Sequence, residues 1–383
     1  MTRDTNSSKP PDPPESGDSD GSPDPPEIDL EALRARIDDV DQRLIAALSE
    51  RAQIVTEVGR SKRASGYPIY APHREAEVLR RVLDRNPGPL HDRTVEAIYR
   101  ELMSGSFALE QPIRVAYLGP AGSFSHLAAR RHFGSSVEFD TLDGIEAVFD
   151  MVARGRSTYG FVPYENSIGG GITDTLDAFQ RHEVTIYAEA LIEIRHNLLS
   201  NVPADRIRRI LSKPQVFTQC RAFLANRFPN ATLVPTLSSS DAVRQVADQD
   251  DAAAIGSTLA GTLYGVDVAY EDVQDHAGNI TRFLVIARQQ ARPTDDDRTT
   301  VKFVTAHRPG ALVDVLAAFR EHGLNLSHID KRPSGRTNWE YTFFVDVDVH
   351  RDKPAAAAAI EAARAHCVSL DVLGSYPRAT RII

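Results

Sequence analysis

The sequence predicts a multidomain protein that joins an all-α helical module, a two-lobed α/β domain and a ferredoxin-like α+β module. Three observations carry that expectation. Apolar residues recur at heptad-like spacing over 30–63 with no proline among them. From Ile113 onward, short apolar strands alternate with helical stretches. After a polar linker at 289–297, the remainder reads βαββαβ.

The first 26 residues are rich in Pro, Asp and Ser and contain no apolar run, so 1–26 reads as a disordered acidic tail rather than a leader or a membrane span. In the next module, 27–111, Leu33, Ile37, Val40, Leu44, Ile54 and Val58 mark one long helix over 30–63. At 1.5 Å per residue that helix spans roughly 50 Å, more than a small bundle covers by itself, so a second chain is expected against it. Gly66 and Pro68 end the pattern, Pro72 opens a second helix over 72–85, and Asn86-Pro87-Gly88-Pro89 separates it from a third over 91–110.

The α/β domain is expected over 112–288, with parallel strands at 115–118, 160–163, 185–194, 210–211, 232–234, 252–255 and 283–287. The last is a late return strand, which suits two lobes and a cleft. The final module, 298–383, places strands at 301–305, 324–329, 340–347 and 368–373 and helices at 312–321 and 354–365.

Composition restricts the function classes. The formal net charge of -9 and the lack of a basic stripe argue against a nucleic-acid partner. The 2 cysteines, Cys220 and Cys367, leave no disulfide framework or Cys-based zinc cluster and suit a reducing, cytoplasmic setting. No metal or cofactor is called for, and no membrane.

Within the long helix, Arg51 occupies a seam position where an apolar residue is expected, and Lys62, eleven residues on, returns to within roughly 20° of it. Arg34 lies off that face. Such side chains either snorkel to solvent from a coiled coil or meet an anion. The segment containing Leu33-Arg34, Ser49-Glu50-Arg51, Gly59-Arg60-Ser61-Lys62, Arg74-Glu75 and Ser106 with Glu110 resembles the all-helical chorismate mutase family. The resemblance implies an intertwined dimer in which Arg34 reaches the partner's site while Arg51, Lys62, Glu75, Ser106 and Glu110 line their own. It also implies a pericyclic rearrangement that needs no nucleophile, only folding of the substrate and charge stabilisation at the breaking ether, with Lys62 and Glu110 facing it. Glu110 stands where some relatives have Gln, and there a carboxyl helps if it is protonated, which predicts mutase activity falling as pH rises.

Four segments carry the α/β domain's chemistry. Gly119-Pro120-Ala121-Gly122-Ser123 follows a strand and precedes a helix, where backbone N–H groups and hydroxyls hold a carboxylate or merely make a turn. Glu165-Asn166-Ser167, followed by Gly169-Gly170-Gly171, lies at a strand's carboxyl end. Ser212 through Gln219 repeats that placement, and Asn279-Ile280-Thr281-Arg282-Phe283 enters the return strand. In this order the four resemble prephenate dehydratase. That resemblance implies Thr281 as donor to the departing ring hydroxyl, with Ser123, Asn166, Ser167, Ser212, Gln219 and Asn279 about the substrate. Arg282 would bind a carboxylate, and Glu165 would be a proton source or a structural acceptor.

Arg308-Pro309-Gly310-Ala311-Leu312 before a helix, and Ile329-Asp330-Lys331-Arg332-Pro333 at a strand's end, resemble an ACT regulatory domain. It implies phenylalanine as an effector held near Gly310, Ala311, Leu312, Asp330 and Arg332, at an interface between two such domains. Together the three resemblances imply one chain that takes chorismate to prephenate and prephenate to phenylpyruvate, as a homodimer or tetramer. A dehydratase with a purely dimerising helical module, and a periplasmic-binding-like sensor without catalysis, remain as alternatives at this point.

Overall fold

The computed structural model describes residues 29–65, 68–335 and 340–383. The acidic tail at 1–26 and the break at Gly66 lie outside the described residues. The chain divides into two compact units, Met1–Gln53 and Ile54–Ile383.

Helix α1, Leu30–Ser65, runs through the division. Asp29 caps it, its carboxylate accepting from Ala32 N at 3.0 Å. Within 30–53 the seam residues Leu30, Ile37, Val40 and Leu44 are all more than half exposed. In the second unit, α1 ends against α3, Asp92–Glu110, with α2, Pro72–Leu83, between them in sequence. Gly59 makes that approach possible, since a Cβ there would sit 2.9 Å from the Glu110 Cα. Pro72 supplies the fixed φ suited to a first helical turn.

The first lobe follows: β1 Arg114–Leu118, α4 Phe124–Phe133, β2 Glu138–Leu142, α5 Ile145–Ala153, β3 Tyr159–Asn166, β4 Gly170–Gly171, α6 Thr173–Arg181 and β5 Thr185–Glu193. The chain then builds the second lobe: β6 Asn197–Leu199, β7 Arg209–Ser212, α7 Pro214–Gln219, α8 Arg221–Arg227, β8 Thr232–Pro235, α9 Ser239–Val246, β9 Ala252–Gly256, α10 Thr258–Tyr264 and β10 Val268–Tyr270. It returns through β11, Ile280–Ala287. The two sheets are ordered β2-β1-β3-β11-β5, with β4 on β3, and β10-β6-β9-β7-β8.

The sheets are mixed rather than wholly parallel. Strands β1, β2 and β3 are parallel, but β11 runs antiparallel to both β3 and β5. The cause is topological: the chain leaves from the carboxyl end of β5 and comes back at that same end, so β11 must run the opposite way. Its first residues therefore lie beside the carboxyl ends of β3 and β5, where the lobes meet. Strands β2, β4, β6 and β10 had no counterpart among the expected strands. They are short or carry alternating charge, as in Glu138-Phe139-Asp140, and so lack a continuous apolar run.

The third module comprises β12 Asp297–Thr305, α11 Ala311–Glu321, β13 Leu326–Pro333, β14 Tyr341–Val347, α12 Pro354–Arg364 and β15 Cys367–Pro377. Its sheet is antiparallel in the order β13-β14-β12-β15, the ferredoxin-like arrangement. Strand β15 docks on β5, where Gly374 abuts the Ile186 carbonyl so closely that no side chain fits. Tyr70 joins the helical module to the first lobe. Fully buried, it packs on Phe107, Phe133, Tyr159 and Tyr187 and hydrogen-bonds His132 Nε2 at 2.7 Å.

Candidate active sites

The return strand and the end of β3 bring the cleft residues together. Thr281 pairs in register with Asn166, and the Asn166 Nδ2 donates to Thr281 Oγ1 at 2.9 Å and to Asn279 Oδ1 at 2.7 Å. The orientation of that amide is fixed by its other end, because Oδ1 accepts from Ile168 N at 3.1 Å and Gly169 N at 2.8 Å. The Thr281 oxygen is thus already an acceptor. Its proton has no acceptor among the described residues and is available to a ligand. Ser167 joins the two strands: its Oγ accepts from Ile280 N at 3.0 Å and donates to Gly278 O at 3.2 Å.

Ser123 caps α4, accepting from His126 N at 3.2 Å and donating to Leu118 O at 3.1 Å. The 119–123 loop is held from the second lobe, where Ser257 Oγ donates to Gly122 O at 2.6 Å, Tyr264 OH to Ala121 O at 3.1 Å, and Ser240 also to Ala121 O. Gln219 Oε1 meets His196 Nε2 at 2.7 Å, on the crossing between lobes.

Two cleft assignments do not survive the geometry. Ser212 is fully buried in the second lobe and its hydroxyl is spent on Ile255 O at 2.8 Å, so it does not face a substrate. Arg282, next to Thr281 on a strand, must project to the opposite face. There its Nε donates to Glu189 at 2.7 Å, one terminal nitrogen to Asp346 at 2.5 Å and the other to Tyr376 OH at 2.9 Å. Arg298 joins the same cluster, 2.9 Å from Glu189. A guanidinium so occupied binds protein carboxylates, not a substrate's. Glu165 also turns toward the third module. His328 lies 3.4 Å from its carboxylate, and that contact, ahead of the opposing effect of burial, lowers the Glu165 pKa.

Three histidines of this region carry no sequence signal beyond their residue type. His126 accepts from Gly122 N at 3.0 Å and stacks on Tyr117 at 4.6 Å, and burial, aided by Arg130, takes its pKa down to about 4. His196 is lowered by burial despite its bond to Gln219. His328 is raised, burial being outweighed by Glu165 and Asp346.

In the helical module, Lys62 Nζ contacts the Glu110 carboxylate at 2.8 Å and donates to Ile69 O at 3.1 Å, while Arg63 donates to Glu110 O. Ser106, one turn before Glu110, is buried and donates to Leu102 O at 2.7 Å. Glu75 does not join this set. It shares the face of α2 that carries Val78 and Leu79 into the first lobe's core. Burial pushes its pKa up to about 7, opposed by Arg100, and its charge is felt by Tyr70, Tyr159 and Tyr187. Arg34 and Arg51 lie in the 30–53 segment, Arg34 exposed and Arg51 partly so.

The third module holds a cavity of about 220 Å³ lined by Arg308, Gly310, Ala311, Leu312, Glu340 and Tyr341, among others. Asp330 and Arg332 are not part of it. They alternate to the other face of β13, where Arg332 grips Asp177 through two 2.7 Å bonds and Asp330 abuts Gly171. Among the described residues no group of His, Cys, Asp and Glu is placed to hold a metal, and no described helix is long and apolar enough to cross a membrane.

Family models match in the order of these modules: chorismate mutase type II over residues 33–111, prephenate dehydratase over 115–291 and the ACT domain over 299–365. The bifunctional chorismate mutase/prephenate dehydratase of Stutzerimonas stutzeri is 41% identical over 358 residues, covering 91% of this chain and 98% of its own length. The chain belongs to the bifunctional chorismate mutase/prephenate dehydratase family. The enzyme of that name from Pseudomonas aeruginosa is 39% identical over 357 residues, covering 91% of this chain and 98% of its own. A crystal structure of prephenate dehydratase in complex with L-Phe from Arthrobacter aurescens superposes with a TM-score of 0.66 at 31% identity, covering 70% of this chain and 90% of that one. As a member of the family, the chain is an isomerase and a lyase in one. It rearranges chorismate to prephenate and converts prephenate to phenylpyruvate by decarboxylative dehydration.

Proposed function

We propose that Thr281 is the donor to the departing hydroxyl in the dehydratase step, with Asn166 orienting it. The observation carrying this role is the 2.9 Å bond from Asn166 Nδ2 to Thr281 Oγ1, which leaves the hydroxyl proton directed away from Asn166. As the ring carboxylate leaves as carbon dioxide, its bonding electrons enter the ring and expel the hydroxyl, which needs a hydrogen-bond donor or proton to depart as water. A threonine hydroxyl is a weak acid, so its contribution is a hydrogen bond strengthened by a cleft with little water. Asn279 and Ser167 hold Asn166 and the strand entry, Ser123 and Gln219 line the two lobes, and Glu165 is an acceptor rather than a proton source.

In the helical module, 27–111, we assign the ether oxygen of chorismate to Lys62 and Glu110, with Ser106 beside them and Arg51 on a carboxylate. Arg34 comes from a second copy. The exposed Leu30, Ile37, Val40 and Leu44 of α1 support a homodimer built on this helix, because four half-exposed apolar side chains on one seam call for a covering partner. The dehydratase domain is taken as 112–288 and the regulatory domain as 298–383, with the 1–26 tail outside both. L-Phenylalanine is the proposed effector, taken at the Gly310, Ala311 and Leu312 cavity, and the cytoplasm the proposed compartment.

Feeding chorismate and measuring both products tests the division of labour. Thr281→Ala should let prephenate accumulate with phenylpyruvate lost, whereas Lys62→Ala should stop chorismate consumption yet leave prephenate turnover intact. Loss of both activities in either variant, or of neither, refutes the assignment.

A further inference from the structure

Strand β13 of the regulatory module presents alternate residues to the dehydratase domain. His328 Nδ1 lies 3.4 Å from Glu165 Oε1, Asp330 abuts Gly171, and Arg332 holds Asp177 with two 2.7 Å bonds. These contacts fall on the end of β3, on β4 and on α6, so they bracket the turn that begins at Asn166. Residues on the other face of β13, such as Ile329, point to solvent.

His328 is the contact nearest the chemistry. Glu165 immediately precedes Asn166, and across the ladder Glu165 pairs with Arg282 as Asn166 pairs with Thr281. The imidazole side chain is 10% exposed, its ring lies 5.4 Å from that of Tyr164, and its Nε2 is buried with no hydrogen-bond partner among the described residues. Burying a ring with one nitrogen unsatisfied costs free energy, and the contact to Glu165 is what offsets it.

We propose that His328 is a positioning residue for the dehydratase step, acting through Glu165 on the Asn166 amide that orients the Thr281 hydroxyl. The inference rests on the assignment of Thr281 and Asn166 made above. It makes the regulatory module part of the catalytic geometry rather than an appended sensor.

The charged and titratable groups facing His328 are Glu165 and Tyr164 from β3, Arg282 from β11 and Asp346 from β14. Burial disfavours the imidazolium and Arg282 repels it, but Glu165 and Asp346 prevail and the pKa is raised above its ordinary value of 6.5. A raised histidine pKa means that the link is at full strength below 6.5 and is lost as pH rises through the higher folded-state value.

The test uses the full-length chain with prephenate as substrate and chorismate consumption as a control for folding. His328→Leu removes the donor; His328→Asn keeps a donor near the position of Nδ1 but does not titrate. A displaced hydroxyl donor predicts for His328→Leu a fall in dehydratase kcat on the order of tenfold or more, with KM changed much less and mutase activity retained. His328→Asn should recover most of the kcat and flatten the alkaline limb of the pH profile. Wild-type kcat in His328→Leu, equal losses in both variants, or a pH profile of His328→Asn that superposes on wild type would each overturn the proposal. Thr281→Ala separates the two ideas: if it is inactive while His328→Leu is normal, only the His328 link fails; if it is active, the assignment beneath it fails.

Discussion

Replacing Arg282 with Met should destabilise the protein far more than removing any ion pair nearer the surface. Arg282 is the shared partner of Glu189 and Asp346, two carboxylates with no solvent exposure, and its own side chain is only 7% exposed. In the native cluster two guanidinium groups, Arg282 and Arg298, face these two acids. Without Arg282, Asp346 keeps, among the described residues, the Thr300 hydroxyl at 2.6 Å, and Glu189 keeps Arg298 and the Ala379 N–H. Leaving a buried carboxylate without its cation costs about 3–5 kcal/mol. Over a cooperative unit of 150–250 residues, that lowers the thermal midpoint by roughly 6–20 °C. The comparison is Arg332→Ala, which breaks a bidentate pair whose partners are each about a quarter exposed and which should cost no more than about 1 kcal/mol. Differential scanning fluorimetry on both variants and on Arg282→Met combined with Asp346→Asn decides the matter. The double variant should be partly restored, since it removes the stranded charge. Arg282→Met no less stable than Arg332→Ala would refute the reading of this cluster as a buried ionic core.

Two further outcomes follow from the packing of the helical module on the first lobe. Glu75 has a pKa of about 7 where 4.5 is ordinary, so the fold binds a proton that the unfolded chain releases, and stability falls as pH rises from about 4.5 to about 7. Glu75→Gln should therefore raise the thermal midpoint at pH 8, by an amount worth on the order of 1–3 kcal/mol, and change little at pH 4.5; a variant equally stabilised at both pH values would contradict the burial effect. Tyr70→Ala removes the ring in the core shared by the helical module and the first lobe and should cost about 3–5 kcal/mol, whereas Tyr70→Phe loses the contact to His132, about 1–2 kcal/mol. Urea unfolding of the two variants gives that ratio, and equal losses would assign the stability to the hydroxyl instead of the ring.

Apolar spacing made the architecture readable: it marks α1, and the βαββαβ order marks the third module. What it could not supply was direction. Nothing in Phe283 through Ala287 says that β11 runs against its neighbours, because that follows from where the chain re-enters the first lobe. The same gap explains the fate of the site residues. In Asn279-Ile280-Thr281-Arg282 both faces of the strand are polar, so alternation separates Thr281 from Arg282 without saying which faces the cleft. Ser212 and Glu75 fit a site by their place in the motifs, and it is the elements packed against them that turn them elsewhere. His328 could not be singled out at all, since its importance lies in a contact with Glu165, distant in sequence, and a lone histidine on a strand carries no pattern.

The one-residue step between Thr281 and Arg282 bears on how regulation reaches catalysis. A strand held in register by β3 and β5 cannot shift one side chain without moving the next, and these two point to opposite faces, one toward Asn166 and one into β14 and β15. Any change in the regulatory sheet that alters the Asp346 or Tyr376 contacts is therefore delivered to β11 at the residue adjoining Thr281, the proposed hydroxyl donor. The Lys62 and Glu110 pair is held by α1, α3 and the Ile69 carbonyl, and it reaches β11 through apolar packing rather than an ionic contact, Ile69 and Tyr70 sharing the core that contains Phe283 and Val285. An effector acting through the third module should thus change dehydratase turnover while the mutase rate stays constant. Parallel inhibition of both reactions would require transmission through the apolar core that Tyr70 shares with Phe283 and Val285 of β11.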